Sequence, residues 1–309
     1  MKIEISNEVK QELKKINEFF EMHALDSDVI SSHWREYGNR TSISFDDDFS
    51  FANIRAEGFD DWQENNFINR IKNIPKTFYL KKNLYHLLPS RLIDSVREVV
   101  KLQKRLLSFN CVKQGLCLNA IESSGLCLND KKIAIIGDGN GFMGLLLKNL
   151  FPNIKIVQIN LTKVLMFDLL FTSHVPRKNT LNVVLKKGDY LKEADFNFVP
   201  AEIVFNINFD DVDFFINIAS MQEMDADIVD SYFNLIRNQN VDKTHFYCCN
   251  RVSKKLPDGT MSVFDKYAWL ESDKVLFDEV CDWYSEFPIS RPPFVKKFDG
   301  MHKHRLIEI

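Results

Sequence analysis

The segment Lys132–Leu150, KIAIIGDGNGFMGLLLKNL, constrains this chain more than any other. Lys132–Ile136 is a short apolar, β-branched run, and Gly137, Gly139 and Gly141 follow it. From Phe142 the spacing becomes helical, with Met143, Leu146, Leu147 and Leu150 on one face. A strand that turns sharply into a helix leaves main-chain N–H groups at the helix start. Glycines there let a ligand lie against bare backbone. Such a unit belongs to a doubly wound α/β domain.

The rest of the C-terminal part keeps the same rhythm. Strand-like runs follow at Ile154–Ile159, Leu181–Leu185, Val212–Ile218 and His245–Cys249. Helical spacing lies between them at Thr162–Phe171 and Asp225–Arg237, where Asp225 is a suitable N-cap. A short helix near Val112–Ser123 leads in, and Met261–Phe264 and Arg305–Ile309 close the chain. The segment Ala201–Ile207 fits a strand or a covering loop equally well. Alternating strands and helices predict a parallel sheet with right-handed crossovers over residues 106–309.

Residues 1–105 lack that rhythm. An amphipathic helix is predicted over Val9–Met22, with Leu13, Ile16, Phe19 and Phe20 on one side. A second runs over Arg91–Leu107 behind Ser90 as N-cap, and residues 23–60 read as irregular. This part is predicted to be a mostly helical region that covers the site and supplies acceptor specificity.

Composition removes several functions. Apolar residues make up 45% of the 309, enough for a full core. A net charge of −3 gives no basic field for nucleic acid. No apolar run reaches the roughly 18 residues of a membrane span. The polar start, MKIEISNEVKQELKK, is not a signal peptide. Six scattered cysteines with no C-x-x-C pair suit reduced thiols in a cytoplasm, and none has metal-ligand spacing. The acidic runs Asp46–Asp48 and Asp60-Asp61 read as solvated turns.

Two cofactors compete for the glycine turn. Gly139-x-Gly141-x-x-Gly144 matches the dinucleotide pattern of an NAD-dependent oxidoreductase. In that pattern, however, the first glycine ends the strand. That glycine is Gly137, and counting from it places Phe142 where the third glycine belongs. Asn160 also stands where the ribose-binding acid belongs. Gly137-Asp138-Gly139-Asn140-Gly141 satisfies instead the G-x-G-x-G turn of sites for S-adenosylmethionine, which has no pyrophosphate. Asn160 would reach the ribose through its amide, and Asp189, after the third strand, would accept from the adenine amino group.

Four segments carry a resemblance: INIASMQEMDADIVDSYFNLIR over 216–237, HFYCCNR over 245–251, the IGDGNGF turn and the closing HRLIEI. Together they resemble the sugar O-methyltransferase family over roughly residues 132–309, with a looser echo at Ser32-His33-Trp34. The resemblance implies a class I methyltransferase fold, Rossmann-like, with an antiparallel last strand. It implies S-adenosylmethionine as cofactor, a carbohydrate hydroxyl as acceptor and a setting in surface polysaccharide assembly. It points to Glu223 as the base or acceptor-orienting carboxylate, beside Ser220 near the cofactor and Gln222 near the acceptor. Asn250 and Arg251 end the fifth strand and would hold sugar hydroxyls or a phosphate. His302 and His304 open the last strand at the active edge, His304 as a second candidate base. His33 and Trp34 read as a loop anchor or an aromatic face for the sugar. Ile135 and Asn160 replace two acids usual in such sites, which keeps a non-catalytic methyltransferase-like binding module as an alternative. A homo-oligomer is left open.

Overall fold

The computed structural model describes residues 2–23, 30–37, 41–56, 63–173, 179–209 and 211–309. The chain opens with β1 (Lys2–Glu4), α1 (Asn7–His23) and α2 (Ser32–Tyr37), then β2 (Thr41–Phe45) and β3 (Phe51–Ala56). These three strands form an antiparallel sheet with β3 in the centre. Part of the stretch read as irregular is therefore a hairpin. Its turn is the Asp46–Asp48 run, where the Asp46 carboxylate accepts from Phe51 N–H (2.9 Å) and Phe49 takes a φ of 58°. Short-range propensity missed the strands because they are brief and split by three aspartates. The run Asp60-Asp61 lies outside the described residues.

Then come α3 (Phe67–Lys72), α4 (Ile74–Asn83), α5 (Ser90–Leu102) and α6 (Phe109–Ser123). Ser90 is the first residue of α5 rather than its cap, and Pro89 takes the cap position without a side-chain bond. The helix stops at Leu102 because Lys104 enters the left-handed region at φ 49°. In α6 the capping is conventional, with Ser108 Oγ accepting from Cys111 N–H (3.4 Å).

The main body follows: β4 (Lys132–Ile136), α7 (Phe142–Leu150), β5 (Lys155–Asn160), α8 (Thr162–Ser173), β6 (Leu181–Val183), β7 (Phe196–Pro200), β8 (Phe214–Ile218), α9 (Ala226–Arg237) and β9 (His245–Arg251). The chain ends with β10 (Ser253–Lys255), β11 (Met261–Val263), β12 (Lys274–Val280), β13 (Glu286–Pro288), β14 (Val295–Lys297) and β15 (His302–Glu308). Eight strands make one sheet in the order β12-β15-β9-β8-β4-β5-β7-β6. From β9 to β6 all neighbours are parallel, and β15 runs antiparallel to both β9 and β12. The chain leaves β4 toward β5 on one side and later returns to β8 on the other. That reversal opens a crevice at the carboxyl ends of β4 and β8.

Strand β7 was not predicted. It inserts beside β5 and pushes β6 to the sheet edge. The ambiguous 201–207 segment is a turn with a short 3-10 helix at Val204–Asn206. Both sheet faces are covered, so β7 and β8 are buried throughout, as continuous apolar runs demand. One face packs Ile133, Ile135, Phe198 and Ile216 against α5 to α8. Val9, Leu13 and Ile16 of α1 join that same core, with α1 lying on α8. The other face packs Ile136, Val157 and Phe215 against Ile228, Val229 and Phe233 of α9. No helix among the described residues is long and apolar enough to cross a membrane.

Candidate functional site

The glycine turn is built at the carboxyl end of β4. Gly137, Gly139 and Gly141 have φ of 79°, 87° and 65°, a region that costs an L-residue about 1–2 kcal/mol. At Gly137 space adds a second requirement. A Cβ there would stand 2.2 Å from Ser220 Oγ. Ala219, at φ 61°, reverses the chain leaving β8 and carries Ser220 over the turn. Its N–H donates to Cys249 O at 2.7 Å.

The start of α7 is already satisfied. Asp138 Oδ1 accepts from Met143 N–H (3.0 Å), and Oδ2 accepts from Gly144 N–H (2.9 Å) and Gln158 Nε2 (3.0 Å). Gly141 N–H donates to Asp168 Oδ1 at 2.8 Å. A carboxylate thus occupies the place where a dinucleotide's pyrophosphate would sit, and it suits the positive end of the helix dipole. Asp138, read from sequence as a cofactor contact, serves the helix with its side chain. Asn140 is buried as well, its carbonyl held by Gln103 Nε2 (2.8 Å) from the end of α5.

Asn160 ends β5 as expected, and each end of its amide has one protein partner. Its Nδ2 donates to Asp168 Oδ2 (2.9 Å), and its Oδ1 accepts from Leu161 N–H (3.1 Å). One N–H of the Asn160 amide thus holds a fully buried carboxylate on α8, and the expected ribose contact would use the other. Asp168 links Asn160 to the turn. Sequence reasoning missed it because an acid inside an apolar helix carries no local motif. Ile135, where an acid is usual, faces the apolar core.

Asp189 also needs correction. It is exposed, in a turn beyond β6, with its N–H donating to Lys186 O at 3.2 Å. With β7 inserted, β6 lies two strand spacings, about 10 Å, from β5. Glu202 follows the strand that does flank β5, and its carboxylate accepts from Thr162 N–H (3.0 Å) at the start of α8.

On the other side of the crevice, buried amides tie three strand ends together. Asn217 Nδ2 donates to Ile136 O (2.9 Å), and Asn217 Oδ1 accepts from Asn250 Nδ2 (2.8 Å) and Met221 N–H (3.1 Å). Asn250 Oδ1 accepts from Gln222 N–H (3.1 Å), and Gln222 Oε1 accepts from Arg251 N–H (2.8 Å). Asn250 is fully buried and Gln222 nearly so. Asn250 braces the edge rather than binding the acceptor, because a buried amide must spend both its ends on partners, and Gln222 joins the brace through its Oε1.

Glu223 stands in front of this brace, on the short 3-10 helix Met221–Glu223. Its Oε1 accepts from Lys254 Nζ of β10 (2.7 Å), and its Oε2 lies 3.5 Å from His33 Nε2 of α2. All three side chains keep partial exposure, 20%, 14% and 18%. Ser31 Oγ donates to Glu223 O, fixing the N-terminal segment here. Burial pulls His33 below its usual range, opposed by Glu223 and assisted by Lys254, so its neutral form is favoured. Trp34 meets the His33 ring edge-on at 5.9 Å. The echo at Ser32-His33-Trp34 thus lands beside Glu223. Only tertiary packing joins residues so far apart in the chain. Arg251 ends β9, with a weak 3.9 Å pairing to exposed Asp299.

The two C-terminal histidines stay inside. His302 is 1% exposed, stacked on Tyr284 at 3.6 Å, with Nδ1 against Tyr284 O (3.1 Å). His304 is enclosed by Tyr247, Phe277 and Trp283, with Nδ1 3.1 Å from Tyr247 Oη. The antiparallel strand does begin at the active edge, but its even positions face the packed side of the sheet. His304 as base and His302 as acceptor contact are both corrected to packing roles.

No protein-family model and no curated protein sequence matches the chain. Solved structures with a similar course of chain do. A candidate RNA methyltransferase from Pyrococcus horikoshii is 10% identical, with a TM-score of 0.45 over 71% of this chain and 98% of that one. Coclaurine N-methyltransferase bound to N-methylheliamine and S-adenosylhomocysteine is 9% identical, with a TM-score of 0.43 over 78% and 94%. A mycolic acid cyclopropane synthase with S-adenosylhomocysteine is 10% identical, with a TM-score of 0.42 over 62% and 78%. The fold class rests on this chain's own strand order. A mostly parallel doubly wound sheet, with reversed β15 between β9 and β12, is the class I methyltransferase arrangement.

Proposed function

We propose that this chain is an S-adenosylmethionine-dependent methyltransferase that methylates a sugar hydroxyl. One observation supports the cofactor more than any other: the Asp138 carboxylate caps α7. A pyrophosphate brought to that helix start meets a negative charge and amides already bonded. A cofactor with a sulfonium and no phosphate avoids both penalties. The main chain of Gly137–Gly141 and the nearby Ser220 hydroxyl would hold it. Two solved structures with this course of chain contain S-adenosylhomocysteine, in line with the same reading.

When bound, S-adenosylmethionine supplies an electrophilic methyl group with a good leaving group. The protein's remaining tasks are to orient the acceptor oxygen and to remove its proton. Neutral His33 is the base in this reading. Glu223, fixed by Lys254, orients the imidazole and stabilises its protonated form, and Arg251 holds the acceptor. The sugar as acceptor rests on the resemblance around the SMQEM stretch. Titration calorimetry tests the cofactor. The expected result is saturable S-adenosylhomocysteine binding without an NAD response. NAD binding alone would favour an oxidoreductase. Binding of neither would favour the non-catalytic module that Ile135 and Asn160 keep in view.

A further inference from the structure

Helix α3 buries none of its residues. Phe67, Ile68, Ile71, Ile74 and Phe78 expose 75%, 62%, 53%, 61% and 65% of their surface. Asn73 caps the end of α3 and the start of α4, and helical bonding runs through it, from Asn73 N–H to Asn69 O and from Thr77 N–H to Asn73 O. Steps of four, three and four residues therefore line Phe67, Ile71, Ile74 and Phe78 into one stripe. Exposed side chains of this size, gathered on one face, mark an interaction surface.

Its charge indicates what it meets. Residues 65–93 contain six Lys or Arg and no Asp or Glu, in a chain of net charge −3. Arg70, Lys72, Lys81 and Lys82 are all exposed, and Lys82 Nζ lies 6.0 Å from the Phe78 ring centroid. The β13–β14 hairpin continues the face. Tyr79 Oη of α4 donates to Glu286 Oε1 of β13 at 2.5 Å. Residues 287–298 again hold Arg291, Lys296 and Lys297 with no acid, and Phe294 is 44% exposed at φ 66°. Two neighbouring elements thus combine exposed rings and aliphatics with a net-basic rim, in which the Glu286 carboxylate is taken up by Tyr79.

We propose that α3, α4 and the β13–β14 hairpin form a docking face for an anionic lipid bilayer. Apolar side chains that enter the headgroup region, ringed by Lys and Arg, are what such a surface binds. A second copy of this chain fits less well. A twofold contact through the face would bring two net-basic surfaces together.

Co-sedimentation of the full chain with vesicles tests this. Phosphatidylcholine vesicles containing phosphatidylglycerol should bring the protein down at low salt, and pure phosphatidylcholine vesicles should not. High salt should weaken the binding. Lys81→Glu with Lys82→Glu, and separately Phe67→Ser with Phe78→Ser, should each lower the partition coefficient about tenfold or more. These residues are exposed, so circular dichroism should show an unchanged fold. No sedimentation with phosphatidylglycerol vesicles, or equal binding by wild type and both variants, overturns the proposal. So does a sedimentation-velocity dimer that Phe67→Ser with Phe78→Ser makes monomeric, since the face then belongs to a second copy.

Discussion

The two walls of the crevice spend their polar groups differently. On the glycine wall Asp138, Asn160, Asp168 and Gln158 all bond protein partners. On the acceptor wall Glu223, His33 and Lys254 keep partial exposure and draw on three separate segments of the chain. A rigid cradle made of backbone suits a cofactor that is always the same. Partly exposed polar side chains suit the wall where a bond is made. The contrast predicts that damage to the first wall removes binding and stability together, while damage to the second removes turnover alone.

The harshest way to break the comparison is Gly137→Val. It adds strain at φ 79° and drives a side chain into Ser220. We expect loss of S-adenosylhomocysteine binding by calorimetry and a fall in stability of about 3 kcal/mol by denaturant unfolding. The double variant Gly137→Ala with Ser220→Gly sharpens the point. It removes the clash and leaves the φ cost, so it should recover stability only in part.

On the acceptor wall, His33→Gln should lower kcat by about 100-fold or more with S-adenosylhomocysteine affinity unchanged. Glu223→Gln should act in the same direction. Equal affinity losses in these variants and in Gly137→Val would erase the distinction between the walls.

Acid should report on the buried histidines. Burial, with Arg251 and Lys113 nearby, holds His302 down at about 3. Burial also lowers His33, His245 and His304. As pH falls below the unfolded value of about 6.5, the unfolded chain takes up protons that these side chains refuse in the fold. Their contribution is thus complete above that value and is lost as pH falls below it; for His302 the loss continues toward pH 3, at up to about 1.4 kcal/mol per pH unit. Urea midpoints between pH 7 and pH 4 measure it, and His302→Phe should flatten the slope. Turnover should fall on the same side as His33 takes a proton.

The mildest change is Asp138→Asn. It keeps one acceptor for the start of α7 and removes the charge. A loss of about 1 kcal/mol is expected, with thermal unfolding as the measure.

Much of the fold was readable locally. The strand, turn and helix at Lys132–Leu150 were found at their observed bounds, because β-branched residues, glycines and leucines each act within a few positions. Strand β7 was missed, since FNFVP is short and its pairing with β5 is decided by distant backbone. That one insertion moved Asp189 out to the sheet edge. The buried roles of His302 and His304 were hidden for a related reason. Sequence put them at the correct end of β15, but Tyr284 and Trp283, which cover them, come from a different segment.

By itself the sequence determined the α/β rhythm, the conformations open to Gly137, Gly139 and Gly141, and the basic, acid-free character of residues 65–93. These follow from local sterics and composition. Only the tertiary structure decided that Asp138 caps a helix, that Asp168 holds Asn160, that Asn250 and Gln222 brace an edge, and that His33 meets Glu223. Each of those is a bond to a partner outside the residue's own strand or turn. Such partners are chosen when buried polar groups must find one another, which no local pattern encodes.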